Sequence, residues 1–195
     1  MNYFLDLMYQ LLAAPRQALR TVTRGEKLRQ AALLWLFVNF LLSLSAILEG
    51  PELMTRFFLS VIVLGMGLFL HSAVIDYCAG FLGGRGTAKG ITAGFMAASF
   101  PYAFAVFGSL FGAAFGFGES LLASVLFLWS FVLDVTAISE NYGFSTGKAL
   151  LVALIPYLLF AVFFMGLFFA GLAAAVSGLA QMDDAALMEG VIQSI

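Results

Sequence analysis

Charged and titratable side chains are scarce in this chain, so the few that stand inside apolar runs are where any chemistry would have to occur. The stretch from His71 to Phe104 holds the single histidine, the carboxylate of Asp76 and a glycine-rich basic turn, Gly83-Gly84-Arg85-Gly86, followed by Lys89. A second carboxylate, Asp134, stands in another apolar run. A lone carboxylate in hydrocarbon costs about 2.5–3.5 kcal/mol at a helix centre, and aspartate is too short to snorkel far, so each should seek a partner. Arg85 and Lys89 are the cations nearest to Asp76 in sequence, and His71 would lie about 7 Å deeper along the same helix on a different face. Two readings follow. His71, Asp76, Arg85, Lys89 and Asp134 could form a polar pocket open to the cytoplasmic leaflet that holds a lipid headgroup, an ion or a proton. Alternatively, they make a structural ion pair that fixes a helical hairpin, with His71 as an interhelix hydrogen-bond donor. The structural reading is preferred.

The frame around these residues follows from composition. Hydrophobic residues make up 63% of the 195 and charged ones 10%, against roughly 25% charged in a soluble domain, so lipid must be the solvent for most side chains. Spans of about 20 residues leave room for five crossings and no second folded domain. The expected fold is all-α: a polytopic bundle of five transmembrane helices preceded by an interfacial amphipathic helix. Residues 1–30 form an amphipathic basic lead, 31–180 the membrane domain and 181–195 a short outer tail. The spans are expected near 31–48, 57–79, 90–118, 120–139 and within 149–182, the last ending near Gly171 to Gly178. Basic residues precede the first apolar run by too long a stretch for an ordinary signal peptide, so that run is expected to be a retained span. With five spans and a cytoplasmic N-terminus, every Lys and Arg except Arg56 falls on the inner side, which puts the C-terminus outside. The expected location is a bacterial inner membrane.

In the lead, Pro15 suits a helix first turn, and Arg16, Arg20, Arg24 and Lys27 share one face while Ala18, Leu19 and Val22 face away. Such a face suits anionic headgroups or a plain positive-inside anchor. Gly108, Gly112 and Gly116 repeat at four-residue spacing and should admit a close helix neighbour; Pro101, near mid-span, should kink the third helix. A single cysteine, Cys78, excludes an internal disulfide. No HExxH, GxxxxGK[ST] or CxxC motif occurs; no catalytic residue, metal or cofactor is expected, and the chain is not expected to be an enzyme. Basic residues do not interleave with aromatics, which argues against nucleic acid. The expected partners are the lipid bilayer and either a second copy or another membrane protein.

A set of motifs runs along nearly the whole chain. It comprises Pro15-Arg16-xx-Leu19, the Gly83-Gly84 turn, Ala97-Ala98-Ser99-Phe100-Pro101, Trp129, and Asn141-Tyr142-Gly143-Phe144-Ser145-xx-Lys148-Ala149. This pattern resembles the Yip family, multipass proteins that interact with Ypt/Rab GTPases, and in particular its short prokaryotic branch. The resemblance implies a five-span bundle with a cytoplasmic N-terminus and a non-enzymatic role in organising membrane or partner proteins. Eukaryotic members carry a long cytosolic N-terminal region and an Asp-Leu-Tyr-Gly-Pro motif that is absent from this sequence, so Rab binding is not carried over. Gly83, Gly84, Pro101 and the Tyr142–Lys148 turn are expected to be architectural. The alternative function is a small transporter, channel or lipid-handling protein using the Asp76/His71/Asp134 pocket.

Overall fold

The computed structural model describes residues 3–45, 53–108 and 117–192, and every regular element among them is helical. In chain order these are α1 (Tyr3–Ala13), α2 (Pro15–Arg24), α3 (Leu28–Ser45), α4 (Leu53–Phe81), α5 (Ala88–Ala98), a 3-10 helix (Phe100–Phe107), α6 (Gly118–Tyr142) and α7 (Thr146–Ile192). Met54–Phe81, Ala88–Phe107, Gly118–Tyr142 and Thr146–Ser177 are long and apolar enough to cross a bilayer, and Leu28–Leu44 is a shorter apolar helix. An all-helical membrane bundle is the result, as composition required.

Contacts divide the chain into two compact units, Met1–Ile155 and Pro156–Ile195. The core of the first gathers small and branched residues from several helices: Ala18 and Leu19 of α2, Leu34 of α3, Ile91 of α5 and Ile138 of α6 are all fully buried. By contrast, α4 leaves Phe58, Ile62, Met66, Phe69 and Leu70 exposed. Water would oppose that surface at about 25 cal/mol per Å² of apolar area, whereas lipid tails accept it. In the second unit Phe160, Phe163, Phe164, Phe168 and Phe169 are likewise exposed.

Two expectations about element ends need correction. The third apolar stretch is not one kinked helix: α5 stops at Ala98, and Pro101 lies in the first turn of the separate 3-10 helix. Proline lacks the N–H that an α-helix would return to the fourth residue back, and its ring disfavours the α conformation at Phe100, so the chain changes helix type here. Nor does the last helix end near Gly171 to Gly178, for α7 continues to Ile192 with Pro156 inside it. Residues 181–192, expected as a tail, are therefore helical, and no proline interrupts them.

Candidate functional site

Polar contacts concentrate where the end of α6 meets α2 and the α4–α5 turn, all within the first unit. α2 begins with Pro15 in its first turn and buries Ala18, Leu19 and Val22, which sets its arginines on the opposite side. Arg16 Nε donates to Glu140 Oε1 at 2.6 Å, Arg20 Nε lies 3.9 Å from Glu140 Oε2, and Arg24 Nε donates to the Glu140 carbonyl at 3.2 Å. Glu140 is 7% exposed, whereas the Arg16 and Arg20 side chains are 71% and 61% exposed. One nearly buried carboxylate thus anchors the amphipathic helix by its cationic face.

Beside this clasp, two turns interlock. α6 ends at Gly143, whose φ of 71° is the left-handed conformation that glycine adopts without cost; the next residue, Phe144, returns its N–H to Ser139 O at 3.1 Å. Against this end lies the α4–α5 turn. Asn141 Nδ2 donates to Thr87 O at 3.1 Å, and a Cβ at Gly86 would meet Tyr142 Cδ1 at 2.6 Å. Thr87 caps α5 by accepting from the Gly90 N–H at 3.0 Å, and its hydroxyl donates to Glu26 Oε1 at 3.0 Å. Glu26 also pairs with Lys89 Nζ at 3.1 Å, and the Lys89 and Thr87 hydrogen bonds hold its carboxyl below the ordinary glutamate range. Glu26 has a φ of 45°, a left-handed conformation unusual for a residue with a side chain, at the reversal between α2 and α3.

Along α5 the close approach continues. A Cβ at Gly90 would lie 2.7 Å from Thr23 O, and one at Gly94 would lie 2.8 Å from Thr23 Cγ2 and 2.9 Å from Ala137 Cβ. One turn further, Ser130 Oγ donates to Ala98 O at 2.9 Å. Gly86, Gly90, Gly94 and Ala98 therefore form a small-residue ridge that lets α2 and α6 approach the backbone of α5. Sequence reasoning passed over this ridge, although its four-residue spacing is as regular as that of Gly108, Gly112 and Gly116. Of that second set, Gly112 and Gly116 lie outside the described residues, and a Cβ at Gly108 would meet Glu119 Cγ at an ordinary 3.7 Å.

A cavity of about 670 Å³ opens between the end of α2, the α4–α5 turn and the α6–α7 turn. Its lining includes Arg24, Glu26, Arg85, Thr87, Tyr142 and Lys148. Lys148 Nζ donates to Leu82 O and stands 4.5 Å above the Phe144 ring.

The residues first singled out for chemistry are placed as follows. Asp76 does not pair with Arg85 or Lys89; Tyr142 Oη donates to Asp76 Oδ1 at 2.7 Å. Lys89 is taken by Glu26, and Arg85 lines the cavity. The His71 ring packs against Phe95, with centroids 4.9 Å apart. Asp134 is half-buried on α6 and has no hydrogen bond or ion pair to a described residue. Asp76 and Lys89 are thus each engaged by a residue distant in sequence, Tyr142 and Glu26, and not by each other. Arg16, Arg20 and Arg24 share Glu140, while Lys27 borders a smaller cavity with Asp6 and Gln30.

The two interlocked turns and the Pro15-Arg16 lead carry the Gly83-Gly84, Asn141-to-Ala149 and Pro15-Arg16-xx-Leu19 motifs. A family model described as the Yip1 domain matches residues 9–168, which includes all of them. No curated protein and no solved structure matches the chain. With the match spanning well over half of the 195 residues, the chain belongs to the Yip1 domain family.

Proposed function

We propose that this protein is a non-enzymatic, multipass component of a bacterial inner membrane that organises the bilayer or partner membrane proteins, with its N-terminus cytoplasmic and its C-terminus outside. The observation that carries this reading is the fate of its polar side chains. Arg16, Arg20 and Arg24 are engaged by Glu140, Asp76 by Tyr142 and Lys89 by Glu26, so each of these groups joins one helix or turn to another. Ionisable residues in a span are functional candidates by default, and for Asp76 the Tyr142 partner supplies a structural task. The Tyr142 contact also weighs against the transport alternative, since it occupies the Asp76 carboxylate that a pathway would use.

The test compares the parent protein with Asp76→Asn and Asp134→Asn variants reconstituted in liposomes, scoring folded yield against ion and lipid flux. The proposed role expects no flux in the parent and at most a small loss of yield in Asp76→Asn, whose amide oxygen can still accept from Tyr142. Parent flux that disappears in either variant at unchanged yield would establish transport instead. Tags on the two termini should report opposite compartments; a shared compartment would refute the five-span orientation.

A further inference from the structure

We infer that the cavity between α2, the α4–α5 turn and the α6–α7 turn binds a phosphate oxyanion, carried either by the headgroup of an anionic phospholipid or by a soluble phosphate compound. Three cations, Arg24, Arg85 and Lys148, come from three segments far apart in sequence and converge on this one cavity. The single carboxylate in the lining, Glu26, is already paired with Lys89 at 3.1 Å and accepts from Thr87 at 3.0 Å, so it leaves the other cations uncompensated.

Each of the three retains donor capacity. Arg24 gives Nε to the Glu140 carbonyl, which leaves its terminal amino groups; Lys148 gives one proton to Leu82 O and keeps the rest. Arg85 makes no side-chain hydrogen bond or ion pair with any described residue, and its side chain is exposed. A guanidinium presents a planar fork that matches two oxygens of a phosphate, and a lysine adds a point charge. Ser145 adds a hydroxyl, and α7 begins at the cavity wall, where the positive end of a helix favours an anion. At about 670 Å³ the space falls in the range that accommodates small organic ligands, so it is roomier than a bare ion needs. The surrounding basic loops are those that the positive-inside asymmetry assigns to the cytoplasmic face, where inner-leaflet headgroups and soluble phosphates are both within reach. This ligand site does not depend on the organising role proposed above.

The experiment titrates the detergent-solubilised full chain with short-chain phosphatidylglycerol, short-chain phosphatidylcholine and glycerol 3-phosphate, reading bound ligand by native mass spectrometry. Arg85→Gln is the principal variant because no described partner depends on that side chain; Lys148→Gln is the second, and Arg29→Gln controls for loss of one positive charge outside the cavity. The expected result is selective binding of phosphatidylglycerol or of glycerol 3-phosphate, weakened about tenfold or more in Arg85→Gln and unchanged in Arg29→Gln. Phosphatidylglycerol binding that glycerol 3-phosphate fails to displace identifies the lipid headgroup as source; direct binding of glycerol 3-phosphate identifies the soluble compound. The proposal is overturned if neither ligand binds selectively, if Arg85→Gln and Lys148→Gln both bind like the parent, or if Arg29→Gln loses as much as they do.

Discussion

Arg16 and Glu140, separated by 124 positions in sequence, meet in a 2.6 Å charge-assisted hydrogen bond between the amphipathic lead and the end of α6. The burial is lopsided: the carboxylate side chain is 9% exposed and the guanidinium side chain 71%. That asymmetry decides what each substitution should cost, because an exposed arginine that loses its partner is rehydrated, whereas a buried carboxylate is not.

Arg16→Gln/Arg20→Gln is therefore expected to destabilise the protein by roughly 2–3 kcal/mol, since it strands the Glu140 charge, while Glu140→Gln alone should cost about 1 kcal/mol. Adding Glu140→Gln to the double arginine variant should restore part of the loss. Thermal unfolding midpoints in mild detergent would measure it. A triple variant no more stable than the double would show that the carboxylate is not what the arginines neutralise.

The ridge on α5 yields a prediction of opposite sign at two glycines. Alanine at Gly90 would press a methyl against the backbone oxygen of Thr23 at 2.7 Å, so overpacking of about 1–3 kcal/mol should outweigh the gain in helix propensity. Gly67 on α4 has no other atom within 4 Å of its hypothetical Cβ, and Gly67→Ala should be neutral or stabilising by up to about 1 kcal/mol. Folded yield and unfolding midpoint of the two variants, measured side by side, check the difference. Equal behaviour would remove the ridge as the reason for close packing here.

How much of this was legible beforehand depends on the range of the interaction concerned. Apolar length alone marks α4, α6 and α7, because lipid imposes one simple condition on any crossing segment. The buried face of α2 was equally plain from the spacing of Ala18, Leu19 and Val22, and Pro15 placed its start. What stayed hidden is which partner each face meets. Glu140 lies at the end of an apolar run and gives no local sign that arginines more than a hundred residues away will surround it. The Gly86 to Ala98 ridge has the same spacing as Gly108 to Gly116, and spacing cannot tell which ridge a neighbour uses. The cations nearest Asp76 in sequence are not its partners; Tyr142, the last residue of α6, is.

The Asp76–Tyr142 bond separates a structural from a transporting aspartate. Tyr142→Phe removes the donor and leaves the carboxylate without it, for an expected loss of about 1–3 kcal/mol. Asp76→Asn keeps an acceptor oxygen at the same place and should cost about 1 kcal/mol or less. The ordering, with Tyr142→Phe the worse of the two, is what denaturation of both variants should reveal. The reverse order would mean that the charge of Asp76 matters for something other than this bond.

Glu26 provides the pH dependence. Its carboxyl is held below the ordinary glutamate value of 4.5 by the hydrogen bond from Lys89, then by that from Thr87 and by the Lys89 charge. A group whose folded pKa is depressed contributes stability that is fully present above the unfolded pKa and is lost as pH falls through the folded pKa. The Glu26 contribution should accordingly stand intact at neutral pH and fade below about pH 4.5, as the carboxyl takes up a proton and releases Lys89. Glu26→Gln removes the titrating group, so the difference in unfolding midpoint between parent and variant should shrink across that acid window and be steady above it. Added salt should narrow the difference at neutral pH, because Lys89 and Glu26 meet where solvent screens them. A parent–variant difference that stays the same from neutral pH down through the acid range would mean that Glu26 acts through its left-handed backbone at φ 45° and not through its charge.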